Sequence, residues 1–384
     1  MKKLTVPRIL FVTLAELGHA TFTARLREFA ETDERIEARW LYINPFSEAR
    51  YFWEKVGRWL PAHLAYSLLV RRRVKELLRI QNKFDAYFVH TYDRGLFLPR
   101  LGRQKILIVG LDSTSLLTRR MFATTDRISI FRRLLRWFYR KSTDYLEKRV
   151  LRRADLMVSW SKWAAQSLVD DYKVPKEKVV IVPPAIAMKN IKYAAGEKKD
   201  TEKLRLLFVG GDFKRKGGPM LVELMEKGLD TVCELDVVTK DEVKYSSKYI
   251  RVHHGLNHDS PTLIKLFEAA DVFVLPTTMD MLPIVLIEAC AAGLPSISTK
   301  IGAIPEIVES GRTGLLIAPN DKTALKTAIE QFVSDRNSCR KMGINARYHF
   351  EQQLTAEEHF PKLIGIICNL VWKKRATTAE VCEK

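Results

Sequence analysis

Cysteine is scarce in this 384-residue chain, and none of it is paired in sequence: Cys233, Cys290, Cys339, Cys368 and Cys382 stand apart, with no C-x-x-C. That pattern argues against a disulfide framework and against a zinc site, and it fits a reducing, cytoplasmic compartment. No stretch reaches the roughly 18 uninterrupted apolar residues of a membrane span, so any membrane contact is expected to be peripheral. The apolar run Ile9 to Ala15 behind Lys2, Lys3 and Arg8 looks superficially like a signal peptide, but it is brief and meets Glu16 and His19 before a convincing cleavage site. It reads as a first buried strand. The chain also lacks a D-x-D metal motif, a short-period repeat and any low-complexity segment.

Charge, by contrast, is abundant and unevenly placed. The formal net charge is +19, and residues 1–190 hold 37 Lys/Arg against 19 Asp/Glu, a net of +18. The N-terminal half therefore suits an anionic lipid surface, an acidic or phosphorylated acceptor, or nucleic acid. No nucleic-acid recognition motif supports the last of these. Two stretches, Phe131 to Lys141 and Tyr51 to Trp59 with Arg71 to Arg73 beyond it, interleave basic and aromatic residues. Each reads either as an interfacial helix or as a core-facing aromatic stripe with a solvated basic back.

Short apolar runs alternate with longer helical patterns in both halves, the signature of βαβ units and parallel sheets. Strands are expected at 8–14, 86–90, 106–109, 156–159 and 179–182, then at 204–209, 236–238, 250–253, 272–275, 296–298 and 314–317. Helices are expected around 23–32, 71–81, 131–152 and 162–172. Residues 188–203 are polar and lack a sustained apolar face. They read as a linker between an N-terminal domain, 1–187, and a C-terminal one, 204–354, with a helix near 355–374 returning to the first.

Two segments carry chemistry. Leu207-Phe208-Val209-Gly210-Gly211-Asp212-Phe213-Lys214-Arg215-Lys216-Gly217-Gly218 is a strand, a glycine pair, a basic cluster and a second glycine pair. Glycine permits close backbone approach, and cations beside a helix N-terminus favour phosphate oxygens, so a diphosphate site is one reading and a tight turn with solvated lysines the other. In Leu275-Pro276-Thr277-Thr278-Met279-Asp280-Met281-Leu282-Pro283-Ile284-Val285-Leu286-Ile287-Glu288, Asp280 follows a buried strand, Pro283 opens a helix and Glu288 lies inside it. Both carboxylates can face one crevice and accept from sugar or ribose hydroxyls, while the amides at the helix start donate. The plain alternative is a helix-start charge and a surface glutamate.

Together these segments resemble the retaining, nucleotide-sugar-dependent glycosyltransferases of family 4, or group 1, with the GT-B fold and an E-x7-E signature, here Asp280-x7-Glu288. The resemblance extends through Ala289 to Pro295, Ile301 to Val308 and Gly311 to Leu316, and more weakly to Ala154 to Ser159. It implies two Rossmann-like, doubly wound domains facing a cleft. It assigns Arg215 and Lys216 to the donor diphosphate, with Gly210 and Gly211 beside them, and Glu288 to the ribose. Asp280, with Met281, Leu282, Pro283 and Ile284, would lie against the donor sugar, and Gly255 and Leu256 in His254-Gly255-Leu256-Asn257 near the base. Departures from the pattern are Asp280 for Glu, Met281 for Gly and Gly211 for Arg.

On the acceptor side the resemblance points to Gly18 and His19 after the first strand, with a structural turn as the alternative, and to Asp112; His90 is singled out by its place at the end of the strand 86–90, with a satisfied strand-end histidine as its alternative. The last two stand at carboxyl ends of strands, where ligands of doubly wound domains collect. The expectation is therefore metal-independent transfer, with no cofactor beyond the nucleotide sugar as co-substrate, leaving-group charge being met by Arg215, Lys216 and helix amides. A catalytically silent nucleotide-sugar-binding protein and, more remotely, a basic nucleic-acid-binding protein are the alternatives.

Overall fold

The computed structural model describes all residues except 1–4, 15–16, 44–53, 55–61, 81–83, 92–95, 99–104, 122–129, 187–201, 258–259 and 383–384; the side chains of 14, 17–18, 43, 62–63, 130–140, 142 and 378–382 are also outside the description. The expected linker 188–203 falls largely among the former, and the side chains of Phe131 to Arg140 among the latter. The chain divides into two compact units, Met1–Pro183 with Glu358–Lys384, and Pro184–Glu357. The second begins ahead of the expected boundary because Ile186 bridges to Thr355: its amide donates to Leu354 O at 3.4 Å, and Ala356 N donates to Ile186 O at 3.1 Å.

The first unit contains β1 (Arg8–Leu14), α1 (Leu17–Thr32), β2 (Glu37–Ile43), α2 (Ala62–Ile80), β3 (Ala86–His90), β4 (Ile106–Leu111), α3 (Ser115–Met121), α4 (Ile130–Arg153), β5 (Leu156–Ser159), α5 (Lys162–Asp170) and β6 (Val179–Ile181). The sheet runs β2-β1-β3-β4-β5-β6, and every pair in it is parallel. β3, β4 and β5 are buried along their whole lengths, as expected of central strands covered by helices on both faces. These continuous apolar runs made the strands readable. β2 was not anticipated, because Glu37-Ala-Arg-Trp-Leu-Tyr-Ile alternates in polarity and lies at the sheet edge, where charge discourages further pairing.

The second unit contains β7 (Leu204–Val209), α6 (Gly218–Glu226), β8 (Cys233–Val238), β9 (Ile250–His253), α7 (Pro261–Ala269), β10 (Val272–Leu275), α8 (Ile284–Ala291), β11 (Ser296–Thr299), β12 (Gly314–Ile317), α9 (Lys322–Ser334) and α10 (Arg336–Gln353). Its sheet order is β12-β11-β10-β7-β8-β9, again parallel throughout. The order reverses between β7 and β10, and the loops that leave these two strands carry both chemical segments.

Helix α11 (Ala356–Cys382) brings the chain back to the first unit. Phe360, Leu363, Ile364, Ile367, Cys368 and Val371 are almost wholly buried. Arg375 fixes the helix with two guanidinium bonds to Asp85, at 2.7 and 3.2 Å. Among the described residues no helix is long and apolar enough to cross a membrane.

Candidate functional site

Two loops form the centre of the site on the second unit. The first, after β7, turns through Gly217 at φ +84° and enters α6 with Pro219 in the first turn. A Cβ on Gly217 would stand 2.1 Å from Pro276 O, so only glycine lets this loop lie against the end of β10. The second loop runs from Thr277 to Pro283, which is the N-cap of α8 rather than its first helical residue.

Lys216 and Asp280 meet as an ion pair, with only 13% of each side chain exposed. A largely buried pair of this kind is strong only while both partners stay together, and a competing anion would be offered a lysine already held in place. The stem of Lys216 lies over Gly210, while Gly211 is exposed and has room around it. Arg215 acts as a clip between the loops. Its Nε donates to Asp212 Oδ2 at 2.9 Å, its Nη1 donates to Met279 O at 2.6 Å, and its carbonyl accepts from Thr278 N and Thr278 Oγ1, both at 2.9 Å. The Arg215 amide hydrogen bond is the leading cause that holds the Asp212 carboxyl below its usual range. A depression of about 580 Å³ beside this clip is lined by Lys214, Arg215, Pro219, Met220, Thr278 and Asn320, among others.

The far side of the acid loop rests on Gly302, at φ +52°. Ala303 N donates to Met281 O at 2.8 Å, and Leu282 is buried beneath. Met281, Ile284 and Glu288 are partly exposed. Gly255 and Leu256 follow β9, which is separated from β10 by β7 and β8. Three inter-strand spacings amount to roughly 14 Å, a length comparable to a nucleoside diphosphate. His254 Nδ1 is 3.0 Å from Thr239 O, which anchors the start of that loop.

In the first unit, three of the four residues expected on the acceptor side converge. His19 Nδ1 lies 3.2 Å from His90 Nε2, and His19 Nε2 lies 3.8 Å from Asp112 Oδ2. Gly18 belongs to the first turn of α1 instead of a loop, since that helix begins at Leu17, well before the expected 23–32. Phe22 and Trp160 complete an aromatic cage around the two imidazoles, with ring centroids 4.9 to 5.2 Å apart. Neither was singled out from sequence. Trp160 directly follows β5 and Phe22 lies one turn beyond His19, so the only available signal was the place of Trp160 at a strand's carboxyl end. Burial, with His19 adding to it, holds the His90 imidazole well below the ordinary histidine range. Among the described residues, no three His, Cys, Asp or Glu side chains are grouped as a metal site.

Comparison with known proteins agrees with this architecture. A D-inositol 3-phosphate glycosyltransferase of Corynebacterium diphtheriae is 23% identical over 230 residues, 53% of each chain. The chain thus spans about half the length of this and several other curated relatives it matches. Sucrose-phosphate synthase from Thermosynechococcus elongatus superposes with a TM-score of 0.70 at 16% identity, covering 95% of this chain and 99% of that one. Anabaena HepE in complex with UDP gives a TM-score of 0.66 at 12% identity, covering 94% and 100%. These likenesses show the GT-B fold. Residues 13–189 match the model described as Glycosyltransferase Family 4 and residues 190–349 the one described as Glycosyl transferases group 1, so the chain belongs to glycosyltransferase family 4.

Proposed function

We propose that the protein transfers a sugar, with retention at the anomeric carbon, from a nucleoside-diphosphate donor held by the second unit to a hydroxyl-bearing acceptor held by the first. The observation that carries this reading is the Lys216–Asp280 pair at the point where the order of the second sheet reverses. Lys216 would exchange Asp280 for the donor diphosphate, leaving Asp280 free to accept from a sugar hydroxyl, while Arg215 holds the acid loop and Glu288 receives the ribose. Amides at the start of α8 would share the negative charge of the leaving diphosphate, a preorganised field that needs no reorganisation during reaction. UDP is the nucleotide to try first, since the HepE structures contain UDP or UDP-glucose.

The test is calorimetric titration with UDP and UDP-glucose, with and without chelator, on the natural chain and on Lys216→Met. One charge-assisted hydrogen bond contributes about 1.5–3 kcal/mol, so the variant should bind UDP on the order of tenfold to a hundredfold more weakly. Equal affinities would remove Lys216 from the diphosphate site, and loss of wild-type binding in chelator would remove metal independence. Binding of UDP-glucose without release of UDP in the presence of any acceptor would point to the silent binding protein instead.

The acceptor-side unit is further proposed to work at an anionic lipid surface on the cytoplasmic side. The described residues that support this are Arg71, Arg72, Lys75 and Arg79, which with Leu68 and Glu76 line a depression of about 430 Å³ along α2. Changing all four cations to Gln should abolish flotation with anionic vesicles, and flotation that is equal with neutral vesicles would sink the idea.

A further inference from the structure

His19 and His90 share a hydrogen bond, and the surroundings decide its direction. His90 is 1% exposed, and its second nitrogen, Nδ1, is buried without a partner among the described residues. Two arrangements of a neutral pair are available. If His19 donates through Nδ1, the proton of His90 sits on its own Nδ1, a buried N–H with no acceptor. His19 Nε2 would then turn a lone pair toward the Asp112 carboxylate 3.8 Å away. If His90 donates through Nε2, both faults vanish: the atom left unpaired is an acceptor, and His19 carries its proton on Nε2, facing Asp112. A buried donor without an acceptor and a lone pair set against a carboxylate are each unfavourable, so the two arguments, from opposite ends of the chain of groups, select the same arrangement.

We propose that His90 is a positioning residue that fixes His19 as the Nε2–H tautomer, making His19 Nε2–H and Asp112 Oδ2 a donor–acceptor pair that recognises one hydroxyl group of the acceptor. His19 and Asp112 each keep 23% of their side chains exposed, while His90 is out of solvent. A hydroxyl oxygen at ordinary hydrogen-bond distance from both atoms fits a 3.8 Å separation, accepting from His19 and donating to Asp112. A phosphate or carboxylate could accept from His19 but would meet the Asp112 charge. Trp160 packs against both imidazoles and Phe22 against His90, which holds the ring planes in the geometry the hydrogen bond needs. This inference rests on the reading of the first unit as the acceptor side, and it deepens that reading by naming the group recognised.

The experiment is imidazole ¹⁵N–¹H correlation spectroscopy on the full chain, with His19 and His90 assigned by loss of their signals in His19→Gln and His90→Gln. The expected result is protonated Nε2 and bare Nδ1 on both rings at neutral pH. The hydroxyl probe methyl α-glucopyranoside should then shift the His19 Nε2 signal, and inorganic phosphate should not. In His90→Phe, His19 should lose its single tautomer. In His90→Gln, whose amide can donate from the position of the lost Nε2–H, the probe response should return. A proton on His19 Nδ1 in the natural chain, or a response to phosphate and none to the glucoside, overturns the proposal. His19→Gln, at a partly exposed position, assigns the His19 signals in the natural chain even where the variants at buried His90 do not fold. UDP titration of the second unit is read separately, so failure here is distinct from failure of the donor-site reading.

Discussion

Replacing Gly302 with Ala probes whether the acid loop is carried by the contact seen beneath it. A Cβ at this position would lie 2.5 Å from Asp280 O and 2.6 Å from Met281 O, where real Cβ atoms keep at least 3.0 Å. The loop must therefore withdraw by about half an ångström or more, taking Asp280 with it. The residue also sits at φ +52°, where a side chain itself costs about 1–2 kcal/mol. Gly311 supplies the control: it has φ +81° and no heavy atom within 4 Å of its would-be Cβ. Gly311→Ala should lower the melting temperature by the backbone cost alone, about 2–4 °C per kcal/mol for a unit of this size, and leave ligand binding intact. Gly302→Ala should lower it further. It should also weaken UDP-glucose more than UDP, because Asp280 is assigned to the sugar and Lys216 to the diphosphate. Since misplacement by about 1 Å costs on the order of a hundredfold in rate, transfer should fall at least tenfold. Should the two alanine variants melt alike and bind UDP-glucose alike, the loop does not depend on Gly302 and the reasoning is refuted.

Other outcomes follow from the same geometry. Arg215→Lys should remove the bonds from the guanidinium to Asp212 and Met279 O while keeping the charge, so UDP affinity should change little and UDP-glucose affinity should fall; an equal loss for both would make Arg215 a phosphate ligand. His90 is buried and neutral, its folded pKa lying below the ordinary 6.5, so the unfolded chain takes up the proton first. Stability is then full above about pH 6.5 and falls as pH decreases, by up to about 1.4 kcal/mol per pH unit until the folded pKa is reached. A melting profile from about pH 8 to about pH 5 should be shallower for His90→Gln, and an unchanged slope would place the proton uptake elsewhere, His349 being lowered by burial in the same sense. Burial pushes the Cys233 and Cys290 thiols up to about 12, so neither should react with a thiol reagent in the native state; rapid labelling of either would show that its unit opens.

What the sequence disclosed and what it hid divide along physical lines. Central strands such as β4 and β10 are buried on both faces and read as plain apolar runs. The edge strand β2 mixes Glu37 and Arg39 with apolar residues and has no continuous apolar run to mark it. Asp280 and Glu288 could be placed by spacing alone, because one loop and one helix hold both. The clip from Arg215 to Met279 O could not, since a backbone carbonyl looks the same under every side chain. The aromatic cage was hidden for a different reason. Phe22, His90 and Trp160 come from segments about 70 residues apart, and only the parallel order β1-β3-β4-β5 brings them together.

Helix α11 also sets an order of events during synthesis. The second unit is an insertion: all of it leaves the ribosome between two parts of the first. The first sheet is complete in sequence at β6, yet Asp85 waits for Arg375 and the apolar face under Phe360 to Val371 waits for its cover. At about 5–20 residues per second, the roughly 190 intervening residues take on the order of 10–40 s to appear. The unit made first is thus finished last, and during that interval it exposes the apolar surface that a nascent-chain chaperone would hold.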